Sequence, residues 1–148
     1  MMQQTIIMLA MLGQVLLTFG LYARLLRLRV AYARSTDGRT KVDIKRVVLG
    51  QESWPDSVVQ NEAAVKNQFE APTLFFAACI LSIAAGLTSI VFAMLAVIFV
   101  AFRAWHASIH IGNNELGPRI KAFSSSLFTV VAMWILLVGH QLYRQITT

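Results

Sequence analysis

The sequence is poor in charged residues, in proline and in cysteine. Only 14% of its 148 residues are charged, whereas soluble chains average about 25%. Three prolines and eight glycines exclude a collagen-like or proline-rich chain. The single cysteine, Cys79, excludes an intramolecular disulfide framework and any zinc module that needs several cysteines. These scarcities argue against an ordinary cytosolic enzyme.

Apolar sequence is what the chain has in abundance, at 57% hydrophobic residues and a mean hydropathy of +0.62. Three runs carry no charge, namely 1–23, 71–102 and 122–139. The first run lacks the basic start of a signal peptide, so we expect it to be retained. The middle run would be about 48 Å long as one helix, which exceeds a hydrocarbon core of about 30 Å, so a tight turn is predicted at 86–89. The prediction is an all-α protein and integral membrane four-helix bundle, one domain over residues 1–148, with helices at about 5–33, 61–87, 89–111 and 120–143.

The basic residues predict how this bundle is oriented. Eight of the thirteen lysines and arginines lie between Arg24 and Arg46, and the third loop adds Arg119 and Lys121. The positive-inside rule therefore places the first and third loops in the cytoplasm and both termini outside. We expect a multi-pass protein of the cell membrane, in a bacterial inner membrane. The net charge of +6 also suits nucleic acid, but acids dilute the basic stretch and stacking aromatics are lacking, so no nucleic-acid partner is predicted.

The first cytoplasmic loop, about 34–60, is too long for a simple connector. It contains apolar and basic side chains that suit a membrane surface, with the apolar ones toward lipid and the basic ones toward headgroups. They are Val42, Ile44, Val47, Val48 and Leu49, with Lys41, Lys45 and Arg46. A partly ordered linker fits the same sequence, and its periodicity does not decide between the two.

Ionisable residues inside the predicted helices indicate a functional site, because charges within a membrane are costly. In the second helix, Lys66, Asn67 and Glu70 are spaced to share one face with Ala63. In the third helix, Arg103, His106 and His110 recur at intervals of three and four. From the helical rise, Glu70 and Arg103 lie about 24 and 21 Å below the predicted turn, in the cytoplasmic third of the bilayer. Arg24 and Arg119 are predicted at the same level.

This layer has several interpretations. Glu70 is expected to form a buried ion pair with Arg103 or with a neighbouring cation. In one interpretation, a Glu70–Arg103 pair serves only to neutralise two charges and lock the bundle. A metal on His106, His110 and Glu70 is disfavoured because Arg103 would repel a cation, so no metal site is predicted. The excess of cations instead suggests an anionic or zwitterionic ligand that enters from the cytoplasm. With no activated serine or cysteine in the layer, a cosubstrate would have to bring the reactive group.

At these residues the chain resembles the MAPEG family, the membrane-associated proteins in eicosanoid and glutathione metabolism. The resemblance rests on an Asn-x-x-Glu segment followed by proline, an Arg-x-x-His segment and a later arginine. In this chain they are Asn67, Glu70, Pro72, Arg103, His106 and Arg119. The sequence around Phe69 and Pro72 looks most like a bacterial branch of the family. The resemblance covers essentially the whole chain.

The resemblance implies a homotrimer that binds glutathione as cosubstrate between neighbouring subunits. Arg119 would be catalytic and stabilise the glutathione thiolate, while a second group of residues would bind the cosubstrate. That group is Arg24, Arg27, Lys66, Asn67, Glu70, Arg103, His106 and His110. The implied activity is a glutathione transferase or peroxidase acting on small apolar electrophiles or lipid hydroperoxides that arrive from the membrane lipid.

Three positions depart from the pattern of glutathione-using members. Ala63 stands where they carry an arginine, His110 where a tyrosine is expected, and Phe123 where an aromatic hydroxyl is expected. The alternative function is a non-catalytic trimeric membrane protein that binds an anionic lipid or metabolite in the same pocket.

Overall fold

The computed structural model describes residues 1–35 and 43–147, and all regular structure within these ranges is helical. The apolar runs form long helices because a helix satisfies its own backbone hydrogen bonds in lipid. The elements are α1 (Met2–Arg34), α2 (Ile44–Val48), α3 (Asp56–Lys66), a 3-10 turn (Asn67–Phe69), α4 (Ala71–Ala84), α5 (Ile90–Ile111) and α6 (Leu116–Thr147).

Within the described residues, three helices are long and apolar enough to cross a membrane, namely α1, α5 and α6. Helix α4 has 14 residues, which amounts to about 21 Å at 1.5 Å per residue. That length is shorter than a hydrocarbon core of about 30 Å. Helix α4 by itself is therefore too short to cross a membrane.

The predicted continuous second helix, 61–87, is wrong. The chain forms α3, then the 3-10 turn, and leaves helical geometry at Glu70 (φ −94°, ψ −101°) before α4 begins. Pro72 explains the break, because it has no N–H to donate and its ring collides with the carbonyl one turn earlier. Proline is well accommodated in the first turn of a new helix, where it lies in α4.

Two apolar clusters hold the helices together at opposite ends of the bundle. One joins the start of α1 to α4, the start of α5 and the end of α6, and includes the stacked rings of Phe75 and Phe99, whose centroids are 4.5 Å apart. The other joins the second half of α1 to α3 and the end of α5 through Leu21, Val58 and Ala107. Successive helices therefore run in opposite directions, with α3 and α4 together forming one bent segment.

A buried pair of glutamines links α1 to this bent segment between the two clusters. Gln14 Nε2 donates to Gln68 Oε1 at 3.0 Å, and Gln68 Nε2 donates to the Ala64 carbonyl at 3.0 Å. Both side chains are buried. The pair stabilises the position of the 3-10 turn against α1, because separating two buried amides leaves both without partners.

The turn between α4 and α5 contains Gly86 with a φ of 66°. Glycine adopts this left-handed conformation without the steric penalty of a Cβ. Ser89 then caps α5, accepting a hydrogen bond from the Phe92 N–H at 3.2 Å. The turn therefore allows α4 and α5 to be antiparallel neighbours.

The loop predicted at 34–60 is shorter in the structure, because α3 already begins at Asp56. The short helix α2 lies within this loop. Lys41 and Val42, which the sequence analysis assigns to a membrane-surface segment, fall outside the described residues. Trp54 precedes α3 and packs against the cluster that contains Leu21 and Val58. The described end of the loop is thereby attached to α1.

Candidate functional site

A cavity of about 380 Å³ lies beside the 3-10 turn, at the end of the bundle where α5 finishes and α6 starts. Its volume falls within the range typical of small-molecule sites. Five of the nine site residues predicted from the sequence line it, together with three apolar side chains. The lining consists of Ala63, Asn67, Glu70, His106, His110, Arg119, Ile120 and Phe123.

The two histidines present unused hydrogen-bonding atoms at this cavity. They lie four residues apart on α5, with ring centroids 5.6 Å apart, because residues at this spacing share a helix face. His106 Nδ1 lies 3.1 Å from the Arg119 carbonyl. Its Nε2 and the Nδ1 of His110 are buried and have no hydrogen-bond partner in the part of the chain that the structure describes. Buried polar atoms of this kind are normally satisfied, so the two histidines leave hydrogen-bonding capacity unused beside the cavity.

Arg119 is held at the cavity by the turn between α5 and α6. Asn114 has a φ of 55° and its N–H donates to the Ile109 carbonyl at 2.9 Å, which closes the end of α5. Its side-chain oxygen accepts a hydrogen bond from Arg119 Nη1 at 2.5 Å. The predicted start of the last helix at about 120 is late, because α6 begins at Leu116 and accommodates Pro118 in its first turn. Arg119 is therefore a helical residue whose side chain is braced before any ligand arrives.

The predicted ion pair between Glu70 and Arg103 is wrong. Arg103 is fully buried, and its Nη2 donates to the Asn67 carbonyl at 2.8 Å and to the Asn67 Oδ1 at 3.1 Å. The Glu70 side chain is exposed in the protomer. Among the described residues, ion pairs occur where Glu62 meets Arg29 and Lys66. The physical reason is the break at Glu70, which removes the Asn67 carbonyl from regular helical bonding and makes it available to Arg103.

Arg103 lies behind the cavity wall rather than in it. Its Nε and Nη1 are buried and have no hydrogen-bond partner within residues 1–35 and 43–147. Its contact with Asn67 fixes one wall of the cavity, because a buried cation strongly favours retaining the oxygens that solvate it. Arg103 is thus placed to position Asn67 and to contribute positive potential.

Three predicted binding residues lie outside the cavity in the protomer. Arg24 Nη2 donates to the Ile111 carbonyl at 3.2 Å, and Arg27 Nε donates to the Ala23 carbonyl of its own helix. Lys66 is largely exposed and bonds to Glu62 at 3.1 Å. Helical spacing did not reveal these partners, because it gives the face of a residue and not the direction of a long side chain.

The sequence alone does not identify two residues that position the site, Gln60 and Asn114. Gln60 Nε2 donates to the carbonyls of His110 and Gly112, and so caps the end of α5 together with Arg24. Asn114 braces Arg119 through its side-chain oxygen, a contact that no pattern in the sequence indicates. The last carbonyls of every helix lack partners within the helix. This is the only indication in the sequence that a polar side chain would donate hydrogen bonds to the end of α5 near Gly112.

The three departures from the family pattern, Ala63, His110 and Phe123, all line the cavity. Ala63 offers no polar atom, and the ring centroid of Phe123 lies 5.6 Å from that of His106. These two side chains make part of the lining apolar, next to the polar groups of Asn67, Glu70 and the histidines.

The polar residues suit an anion that also carries a cationic group. Arg119 and the nearby Arg103 favour negative charge, and the Glu70 carboxylate can accept an ammonium group. In the described part of the chain, no group of three or more histidine, cysteine, aspartate or glutamate side chains is placed to hold a metal ion. A second cavity of about 320 Å³ between α1 and α4 is lined mainly by apolar side chains, including Phe19, Phe69 and Phe76.

Comparison with known proteins gives one finding. A family model described as MAPEG family matches residues 7–139, which is nearly the whole chain. No curated protein and no solved structure matches it. The family match confirms the resemblance carried by the motifs around Glu70, Arg103 and Arg119.

Proposed function

The chain belongs to the MAPEG family, and from this premise we propose that it is a membrane-embedded glutathione-dependent transferase or peroxidase. Members of this family include such enzymes. The observation that carries the proposal is the cavity that gathers Asn67, Glu70, His106, His110 and Arg119. The acceptors are apolar electrophiles or lipid hydroperoxides that reach the cavity from the bilayer.

Glutathione fits the cavity by charge. It carries two carboxylates, one ammonium group and one thiol, so it is a small zwitterion with net negative charge. Glu70 would hold the ammonium group, while Asn67 and His106 would bond its polar atoms. Arg119 would stabilise the thiolate, because an adjacent guanidinium lowers a thiol pKa from about 8.5. Bound glutathione would supply the nucleophilic sulfur that this chain lacks at the cavity.

The same proposal includes four membrane crossings and a homotrimer. The three long apolar helices supply three crossings, and we assign the fourth to α4 with the 3-10 turn and the end of α3. Arg27 is exposed on α1 and makes its hydrogen bond within its own helix. In a trimer, such an arginine is available to a ligand carboxylate at a neighbouring subunit.

Binding and chemistry are tested separately on detergent-purified protein. We expect glutathione to raise the melting temperature, and S-methylglutathione to do so as well, because it keeps the charged groups and lacks only the thiol. Turnover is then measured with an aromatic electrophile and with an organic hydroperoxide. Stabilisation by neither ligand would contradict the assignment of glutathione.

Ala63 and Phe123 in the cavity wall favour a second candidate, a non-catalytic protein that binds an anionic lipid or metabolite. This candidate predicts stabilisation by an anionic lipid such as phosphatidylglycerol, and no thiol-dependent turnover. The transferase proposal predicts turnover that requires the free thiol and is abolished with S-methylglutathione. One set of assays therefore distinguishes the two.

A further inference from the structure

Helix α2 is a short segment between the long helices α1 and α5 whose apolar side chains the rest of the protomer leaves largely uncovered. It is capped by Asp43, whose carboxylate accepts a hydrogen bond from the Lys45 N–H at 2.9 Å. Ile44 is 51% exposed, Val48 is 79% exposed and the following Leu49 is 69% exposed. None of the residues of α2 itself is buried. So much exposed apolar surface in a short capped helix indicates that something outside the protomer covers it.

The short helix has two different faces. Ile44 and Val48 are one turn apart and share a face with Val47, whereas Arg46 projects from the opposite side. Lys45 lies between the two faces. An apolar face flanked by basic side chains is typical of helices that lie in the plane of a membrane surface.

The described end of the loop keeps α2 close to the membrane boundary. Trp54 stacks under the guanidinium of Arg29, with 5.6 Å from the Arg29 Cζ to the ring centroid, and Tyr32 Oη lies 3.1 Å from Ser57 Oγ. Arg29 follows shortly after the charge-free part of α1, and tryptophan is enriched at membrane interfaces. Trp54 follows Val48 by six positions, which allows at most about 22 Å between their Cα atoms.

Charge favours a lipid surface over another protein as the covering partner. Within residues 43–49, Lys45 and Arg46 outnumber the single acid Asp43, and the end of α1 carries the exposed cations Arg27 and Arg34. Juxtamembrane basic residues are attracted to anionic lipid headgroups. A second copy of this chain would bring the same positive charge to the contact.

We propose that α2 is a surface anchor that lies on an anionic bilayer, with Ile44, Val48 and Leu49 below the headgroups and Lys45 and Arg46 against the lipid phosphates. This anchor holds the described residues that precede α3, 43–55, on the membrane. It is independent of the ligand in the cavity.

The proposal is tested on the full-length protein in vesicles of phosphatidylcholine and phosphatidylglycerol at three to one. Nitroxide labels are placed singly through Ile44→Cys, Val48→Cys and Arg46→Cys, with unsubstituted protein as the control for the buried Cys79. Power saturation compares collision with oxygen, which concentrates in lipid, and with a water-soluble nickel chelate. We expect the labels at 44 and 48 to favour oxygen and the label at 46 to favour the nickel chelate.

Two outcomes would overturn the proposal. Equal access of the nickel chelate to all three labels would place α2 in water, and protection of 44 and 48 from both reagents would show a protein partner on this face. The electrostatic half has its own control. Replacing phosphatidylglycerol by phosphatidylcholine should make the label at 48 shallower, and this shift should disappear in a variant that also carries Lys45→Gln and Arg46→Gln. If the label at 48 lies at the same depth with and without phosphatidylglycerol, the assignment of the basic side chains to anionic lipid is refuted.

Discussion

The contact between Arg103 and Asn67 allows a direct test of how the interior of the bundle is stabilised. Arg103 is fully buried, and its Nη2 donates to two oxygens of Asn67, one on the main chain and one on the side chain. Asn67→Ala removes the side-chain acceptor at 3.1 Å and leaves the carbonyl. A hydrogen bond to a charged group contributes about 1.5–3 kcal/mol, so we expect the free energy of unfolding to fall by about 2 kcal/mol.

Glu70→Gln is the matched comparison, and here the structure reverses the order that the sequence suggests. A buried Glu70–Arg103 ion pair would make this substitution the more damaging one, at about 3–5 kcal/mol. The Glu70 carboxylate is instead exposed, and its charge acts on Arg103 only at longer range. Since water screens such an interaction, we expect Glu70→Gln to change the stability by less than about 1 kcal/mol.

The assay is unfolding of ligand-free protein in a mild detergent by titration with a denaturing one, followed by circular dichroism. Asn113→Ala is the control, because Asn113 is exposed and its amide contacts Glu115 near the surface. A larger loss for Glu70→Gln than for Asn67→Ala would refute the reasoning. It would show that Glu70 contacts a cation, either Arg103 or one from a neighbouring subunit.

Three further predictions concern the cavity and the bundle. Arg119→Ala should leave glutathione binding in place but reduce the ultraviolet absorbance of the thiolate at neutral pH. Lys121→Ala, which removes an exposed cation outside the cavity lining, should leave this absorbance unchanged. Equal absorbance in the unsubstituted protein and both variants would refute the role of Arg119. Asn114→Ala should lower turnover more than binding, measured as kcat against KM, because it frees the Arg119 side chain without removing its charge; a change in KM alone would contradict this. Gln14→Leu should lower the free energy of unfolding by about 1–3 kcal/mol because it leaves Gln68 Oε1 buried without its donor, and an unchanged denaturation midpoint would show that water reaches Gln68.

The sequence alone was enough to predict an all-α membrane protein and its family. Hydropathy and the absence of charge act along the chain, so residues 1–23 and 122–139 predict apolar helices whatever their neighbours are. The spacing of His106 and His110 likewise follows from helical geometry alone. The motifs around Glu70 and Arg103 indicate the MAPEG family, and the family match over residues 7–139 confirms this membership.

The tertiary structure decided the partners of the charged side chains. Pro72 was visible in the sequence, but only the folded chain shows that the break before it turns the Asn67 carbonyl toward Arg103 and leaves Glu70 exposed. Arg24 likewise takes the carbonyl of Ile111, 87 residues away along the chain. A long side chain can reach several acceptors from one helix position, so its partner depends on which backbone groups the packing leaves unsatisfied. Local sequence determines the faces of the helices, and packing between distant segments determines which polar atoms meet.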